Sequence, residues 1–346
     1  MSQEPLVEWI VGLQEVGAES KGALVLHADP SFYLDGQGYR HVVPYFSNLA
    51  VAALLDTEAS PRSLEVAELW IDWFLSRVGP EGVPAEHWVG IADGAELMCP
   101  EALPTQPAVD RCEAIDATDS AASTFLIVLE AYRTAGGSEA FLRQREEPIR
   151  GIAQTLIDLQ DTDGLTIART DYPVKYLMDN AETVAGFRAM ARLGREVFGR
   201  SGVEYDDAAN RAAIGLANLR DAETGLYAWA KMPDGTLESA RLDRWYADAV
   251  AQVWPLVFAV TEASAGYRQL DRAWNGVERP NWAEHRDASG FAWPVLGVAA
   301  HRAGDRAAAQ RQADVLWQRH VVARGAEPFT IADAGWLLRT VAALEG

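Results

Sequence analysis

The sequence predicts one all-α domain, an (α/α)6 toroid in which six inner helices stand inside six outer ones. Three observations predict it. Two kinds of helical segment alternate along all 346 residues, one apolar nearly all round and the other with an apolar stripe and a charged face. The connections between them are short in one direction and long in the other. No Pro/Gly/Ser-rich or charge-run linker interrupts residues 1–346, so the chain reads as a single domain.

The apolar-all-round segments are 44–56, 116–135, 179–198, 243–263, 290–303 and 328–344. In the second, Ala121, Phe125, Val128, Leu129 and Tyr132 recur at helical spacing, and Ala122 and Leu126 cover a further face, as in a helix buried on all sides. The amphipathic segments are 3–16, 62–78, 138–160, 203–220, 264–275 and 304–322. In the last, Ala309, Ala313, Leu316, Trp317 and His320 make one stripe, with Arg306, Gln310, Arg311, Asp314, Gln318 and Arg319 outside it. The alternation repeats with a period of roughly 50–60 residues, a repeat architecture of helical hairpins. Turns from inner to outer helices are short, at 57–61, 136–137, 199–202 and 304. Connections from outer to inner helices are long, at 18–43, 79–115, 161–178, 221–242 and 276–289, and long loops carry function. Closing the hairpins into a ring puts every long loop on one rim, with the N-termini of the inner helices. An open solenoid leaves the all-round apolarity of those helices unexplained, and the QxxxGxW-type repeats of a terpene-cyclase toroid are not present.

Apolar residues make up 49% of the chain, ample for a large core, and the formal net charge is -20. That charge opposes binding to nucleic acid or to anionic lipid, which depends on Lys and Arg; Lys occurs only at Lys21, Lys175 and Lys231. No apolar run reaches the ~18 residues of a membrane span. The first residues lack the basic and apolar regions of a secretory signal, so the expected location is cytoplasmic. Cys99 and Cys112 share one long loop, without a pattern that indicates a disulfide.

Acidic residues gather where the inner helices begin: Asp116 and Asp119, Asp179 and Glu182, Asp243 with Asp248 a turn further in, and Glu327 with Asp333. Asp29 and Asp35 lie in the loop before the first. Each alone reads as a helix cap; Asp179-x-x-Glu182 has the capping-box spacing, and a carboxylate at a helix start is worth ~1 kcal/mol without any chemistry. Together on one rim they supply what glycosidic cleavage needs, one protonated carboxyl and one carboxylate. Asp116, Asp179, Glu182 and Asp243 are the candidate catalytic acids. Tyr33, His41, Tyr45, Trp88, Tyr176, Trp245, Tyr246, Trp282, Trp293 and Trp336 are candidate binding residues on or near the rim, because the C–H faces of sugar rings stack on such side chains. The same residues also serve any large helical core. Of the other tryptophans, Trp9, Trp70, Trp73, Trp254 and Trp317 read as core.

This pattern of hairpins and asymmetric loops resembles the six-hairpin glycosidase superfamily over nearly the whole chain. Locally, Asp116-Ala117-Thr118-Asp119-Ser120 resembles the D-A-T-D-G/A-D segment that opens an inner helix in family 8 glycoside hydrolases. The resemblance implies a carbohydrate substrate, a hydrolase of inverting type without a cofactor, and a sugar-positioning role for Asp119. Ser120 and Ala121 depart from the motif, and the family's S-E-G-x-G-Y segment has its nearest region in Asp35–Tyr39, which lacks the Ser-Glu pair. The general acid therefore stays unassigned among the four candidates.

Three alternatives stand beside the hydrolase. A glycan-binding or assembly protein would keep the cleft without the acids. A sugar epimerase would use a His pair, for which His41 and His285 are the candidates. A polysaccharide lyase would need basic residues in the cleft, from Arg169, Lys175, Arg241 and Arg244. A zinc site at Asp110, Cys112 and His285 has too few ligands close in sequence, and no metal is expected.

Overall fold

The computed structural model describes residues 1–98, 115–275, 281–285, 287, 290–323 and 328–346. Cys99, Asp110, Cys112 and Glu327 lie outside the described residues, and with them the disulfide, the zinc alternative and one rim acid.

The inner segments form α2 (Pro44–Thr57), α4 (Thr118–Thr134), α7 (Leu177–Glu196), α9 (Trp254–Val257), α11 (Val295–Arg302) and α13 (Ile331–Glu345). The outer segments form α1 (Glu4–Gly12), α3 (Pro61–Ser76), α5 (Glu139–Arg143) with α6 (Glu146–Asp158), α8 (Val203–Asn218), α10 (Ala265–Ala273) and α12 (Arg306–Leu316). The packing follows the alternation. α2 packs on α4, α4 on α7, α7 on α9, α9 on α11, α11 on α13, and α13 back on α2. Outer helices lie between inner neighbours: α1 touches α13 and α2, α3 touches α2 and α4, α6 touches α4 and α7. One core of buried side chains runs from Leu6 to Leu344. Among the described residues no helix is long and apolar enough to cross a membrane.

Proline explains where helices break. The expected helix 243–263 is interrupted at Tyr246, whose backbone is extended (φ -105°, ψ 135°), and is followed by the short α9, which starts at Trp254 with Pro255 in its first turn. A proline further inside a helix lacks the donor and collides with the carbonyl four residues back. Pro294 shortens 290–303 in the same way. α11 begins after it, and Trp293 before it is at φ 52°, outside the right-handed α region that a following proline disfavours. Pro148 confines the start of α6 and splits 138–160 in two.

Strands were not expected, and the long outer-to-inner connections contain two small antiparallel sheets. β1 (Phe32–Leu34), β2 (Gln37–Val42), β3 (His87–Gly90) and β4 (Glu96–Met98) form a meander; β5 (Lys175–Tyr176), β6 (Ala230–Lys231) and β7 (Leu237–Glu238) form the second. Asp35 and Gly36 make the β1–β2 turn, both at positive φ (50° and 83°), as an Asp-Gly hairpin turn requires. Asp35 is thus a turn residue rather than a cleft acid.

A second repeat lies at the ends of the outer helices. Isolated bridges Gln14↔Leu24, Val78↔Pro84, Gln160↔Thr166 and Arg220↔Tyr227 each close a reverse turn holding a positive-φ glycine: Gly22, Gly82, Gly164 and Gly225. These turns dock on the next outer helix. A Cβ on Gly22 would overlap the Leu69 carbonyl of α3, and one on Gly164 the Arg211 carbonyl of α8. Gln14 Nε2 donates to the Gly22 carbonyl (3.3 Å) and to that of Val66 in α3 (2.9 Å). Gln160 Nε2 repeats this with Gly164 (2.8 Å) and Ala208 in α8 (2.9 Å). Gly164→Ala is therefore expected to destabilise by about 2–4 kcal/mol, from backbone strain plus overlap. Calorimetric melting should show a drop well beyond that of Gly136→Ala, where φ is 90° but nothing lies within 4 Å of a Cβ. Equal drops would mean that the docking contact contributes nothing.

Candidate active site

Four helices converge on Glu182, and the chain folds that way because each contributes one polar group at its N-terminal end. Glu182, two turns into α7, is fully buried. Its Oε1 accepts from the Tyr45 hydroxyl of α2 (2.7 Å) and from Trp254 Nε1 of α9 (2.9 Å); its Oε2 accepts from the Ser120 hydroxyl of α4 (2.7 Å). Burial, then the neighbouring Asp179, push the Glu182 carboxyl up to about 8 against the pull of the three donors. The same surroundings raise the Tyr45 hydroxyl well above its ordinary value, burial first and Glu182 next.

Asp119 lies beside it, also fully buried. It accepts from the Ser120 backbone N–H (2.8 Å) and the Thr166 hydroxyl (2.7 Å). Burial raises it to about 7, against the Thr166 and Ser120 bonds. Thr166 is held in turn by Asn180, whose Oδ1 accepts from the Thr166 N–H (2.7 Å).

Asp179 differs from both. It is 8% exposed, and its Oδ2 has no hydrogen-bond partner. Burial raises its carboxyl well above the ordinary range, and the charges of Asp119 and Asp116 add to this. Capping does not explain these acids. The N-caps of α4 and α7 are Ala117 and Tyr176, neither with a side-chain cap bond, so the capping box expected at Asp179–Glu182 is not formed. Asp333, by contrast, forms a capping box with Thr330.

Aromatic rings stand around Asp179. Tyr45, Tyr176 and Tyr246 each feel its charge. Tyr246 is exposed and stacks on Trp293 (4.8 Å), which meets Trp254 edge-on at 6.3 Å. Trp293 Nε1 donates to Asp287 (2.9 Å). Tyr176 stacks on Trp229 (6.1 Å), and its hydroxyl lies 3.1 Å from that of Tyr172.

The other candidates sort differently. Asp116 is exposed and close enough to raise Asp179. Asp243 is exposed and ion-paired with Arg241 (2.7 Å), while buried Asp248 accepts from the Arg241 backbone N–H (2.8 Å). Trp282 is wholly buried and donates to Asp271 of α10 (2.8 Å), and Trp336 packs edge-on against Phe258 at 6.1 Å. Both are core rings with no open face for a sugar. Trp245 is buried against Trp274 and His285. His41 stacks on Trp88 at 4.5 Å and bonds Glu86 at 2.7 Å; Trp88 itself belongs to a small satellite core with Phe32 and Tyr39. Tyr33, on β1, is exposed. Lys175 is buried between Asp161 (2.7 Å) and Asp163 (2.9 Å), and Arg169 bonds Asp171 and the Ile115 carbonyl. Those bases are already engaged.

Trp254 and Thr166 were not anticipated at the site. Trp254 reads as core from its place in the middle of the segment 243–263, and the bond of its Nε1 to Glu182, 72 residues away, leaves no local signal in the sequence.

No family model matches the chain, and no curated protein matches it. Solved structures do. A glycosidase variant in complex with glucose aligns with TM-score 0.65 at 12% identity, covering 99% of this chain and 96% of that one. A novel alpha-amylase from Clostridium perfringens gives 0.63 at 10% identity, with 99% and 96% covered. A rhamnosidase from Klebsiella oxytoca with rhamnose bound gives 0.59 at 14% identity, covering 99% of this chain and 64% of that chain. At such identities the likeness concerns the fold: this chain shares, end to end, the architecture on which those glycosidases are built.

Proposed function

We propose that this chain is a glycoside hydrolase of the six-hairpin type, with the circuit of inner helices read as an (α/α)6 toroid and its substrate an oligo- or polysaccharide. The observation that carries this reading is Asp179, a carboxyl at the start of an inner helix with one oxygen unpartnered, among aromatic rings and beside two further acids. A carboxyl with a raised pKa keeps its proton near neutral pH, as a general acid must. Asp179 would give that proton to the glycosidic oxygen as the bond to the anomeric carbon breaks. Asp116, exposed and nearby, would take a proton from the water that attacks the opposite face, which gives inversion. Tyr246, Trp293 and Tyr176 would stack on the sugar. Glu182 and Asp119 are fully buried and would act by holding α2, α4, α7 and α9 in register and keeping Asp179 protonated. The chemistry takes no cofactor.

The test is reducing-end release from a broad glycan panel, with the anomer of the first product followed by NMR. Release as the inverted anomer is expected; a retained anomer would remove Asp116 as water-activating base. Trp293→Ala is expected to raise KM by roughly tenfold, the worth of about 1–1.5 kcal/mol of aromatic stacking, with a smaller change in kcat. An unchanged KM would take Trp293 out of the binding surface.

A second reading, a glycan-binding protein that does not cleave, is favoured by the same burial of Glu182 and Asp119, which leaves Asp116 and Asp179 as the acids a ligand can reach. Binding of a glycan without release of sugar would establish it.

A further inference from the structure

The far end of the same helices carries a second pocket. On α7 the stripe that holds Glu182 continues through Ala185 and Ala189 to Arg192, roughly 15 Å further along the axis; on α4 the stripe of Ser120 continues to Ile127 and Glu130. These residues, with Arg188 and the chain just after α9 at Phe258 and Ala259, line a cavity of about 240 Å3. Its walls are apolar at Ile127, Ala185, Ala189 and Phe258, and its polar groups are charged.

The charges do not cancel. Glu130 is buried and takes Arg133 (3.0 Å) and Arg192 (2.8 Å), while Arg133 also pairs with Glu196 (2.9 Å). Arg188 is different: its hydrogen bond is to a neutral group, the Ala259 carbonyl (2.9 Å). Of the charged groups that line the cavity, two guanidinium groups, Arg188 and Arg192, thus face one carboxylate, Glu130, in a chain of net charge -20. A planar guanidinium without a carboxylate offers a paired set of donors that matches one. The volume also fits, since a cavity of about 150 Å3 already accepts benzene.

We propose that this pocket is a binding site, separate from the acidic cleft, for a small monocarboxylate with a single ring or branched apolar body. The carboxylate meets Arg188 and the body lies against Ile127, Ala185 and Phe258. Inorganic anions would gain only the first of these contacts.

The experiment is calorimetric titration of the full chain at low salt with benzoate, benzyl alcohol and sulfate as probes; binding is read directly, so the result does not depend on hydrolytic activity. Benzoate should bind, and both other probes at least tenfold more weakly, because each lacks one half of the interaction. Arg188→Gln should weaken benzoate tenfold or more, the scale of a lost charged hydrogen bond. Ala185→Leu, which fills the cavity and keeps every charge, should weaken it as well, with circular dichroism showing that both variants fold. Benzoate that does not bind, or binds Arg188→Gln as it binds wild type, overturns the site. Sulfate binding as tightly as benzoate overturns the apolar half of the assignment.

Discussion

Asp179→Asn is expected to lower kcat on the cleaved glycan by about 10²–10⁴-fold, the usual contribution of a positioned proton donor, while the protein melts no lower than wild type. The two halves belong together. Asp179 is buried, its Oδ2 has no partner, and the charges of Asp119 and Asp116 oppose its ionisation. It is a group whose ionised form the fold does not support, so an amide in its place removes the cost of protonating it on folding rather than a stabilising pair. A cap would behave in the opposite way, costing ~1 kcal/mol on replacement with little change in rate. Measured kcat and melting temperature side by side separate the two roles. Retained activity in a folded Asp179→Asn would end its assignment as the acid. Because the proton must be present for cleavage, activity should also fall as pH rises through the titration of the Asp119–Asp179–Glu182 group, whose members Asp119 and Glu182 stand at about 7 and about 8.

Much of this arrangement was legible in the sequence. Helical periodicity anticipated a helix in each segment of the two alternating kinds, because a helix buried on all sides and a helix with a solvated face differ in composition at each position, though 243–263 keeps only Trp254–Val257 and 290–303 only Val295–Arg302 as α-helix. The breaks at Pro148, Pro255 and Pro294 follow from one missing N–H and one bulky ring, and a periodicity window averages over such single residues. The strands were harder to see. Pieces such as Lys175–Tyr176 and Ala230–Lys231 are too short for any alternation; only Asp35-Gly36 carried a local signal.

At the site, the expectation that inner helices bring their first turns together anticipates that Asp116, Asp119, Asp179 and Glu182 lie close to one another. Their individual fates were not legible. Asp179-x-x-Glu182 and Thr330-x-x-Asp333 both have cap-like spacing, yet only the second caps. What separates them is the long-range partners: Glu182 meets Tyr45, Ser120 and Trp254 from three other helices, contacts at sequence separations of 137, 62 and 72 residues. The tryptophans divide for the same reason. Trp254 reaches the acid layer and Trp282 the core, according to the face each presents in the folded chain.

The buried acids also set how stability responds to pH. Asp119, Asp179 and Glu182 all have folded pKa values raised above those of an unfolded chain. The native state therefore binds more protons than the unfolded state from about pH 4 upward, and its stability falls as pH rises through the folded values. Below pH 7 this slope is opposed by His27 and His87, whose lowered pKa values, caused first by burial, make the native state lose stability as they would charge. Between pH 7 and 9 the acids act alone of these two groups, and a loss on the order of 1–3 kcal/mol is expected. Glu182→Gln isolates the effect. Near pH 6 Glu182 is protonated in the folded chain, and glutamine matches it in shape and can keep the bonds from Tyr45 and Trp254; the wild type already loses some stability there because the same carboxyl ionises in the unfolded chain, and the gap between the two melting curves should widen from pH 6 to 8. At pH 9 the wild type must either ionise a buried carboxyl beside Asp179 or hold its proton against solution, and the variant does neither. Its melting temperature should then stand a few degrees above that of the wild type. Melting curves that stay parallel from pH 6 to 9 would mean that Glu182 does not titrate in that range, and that its three donors hold it ionised throughout.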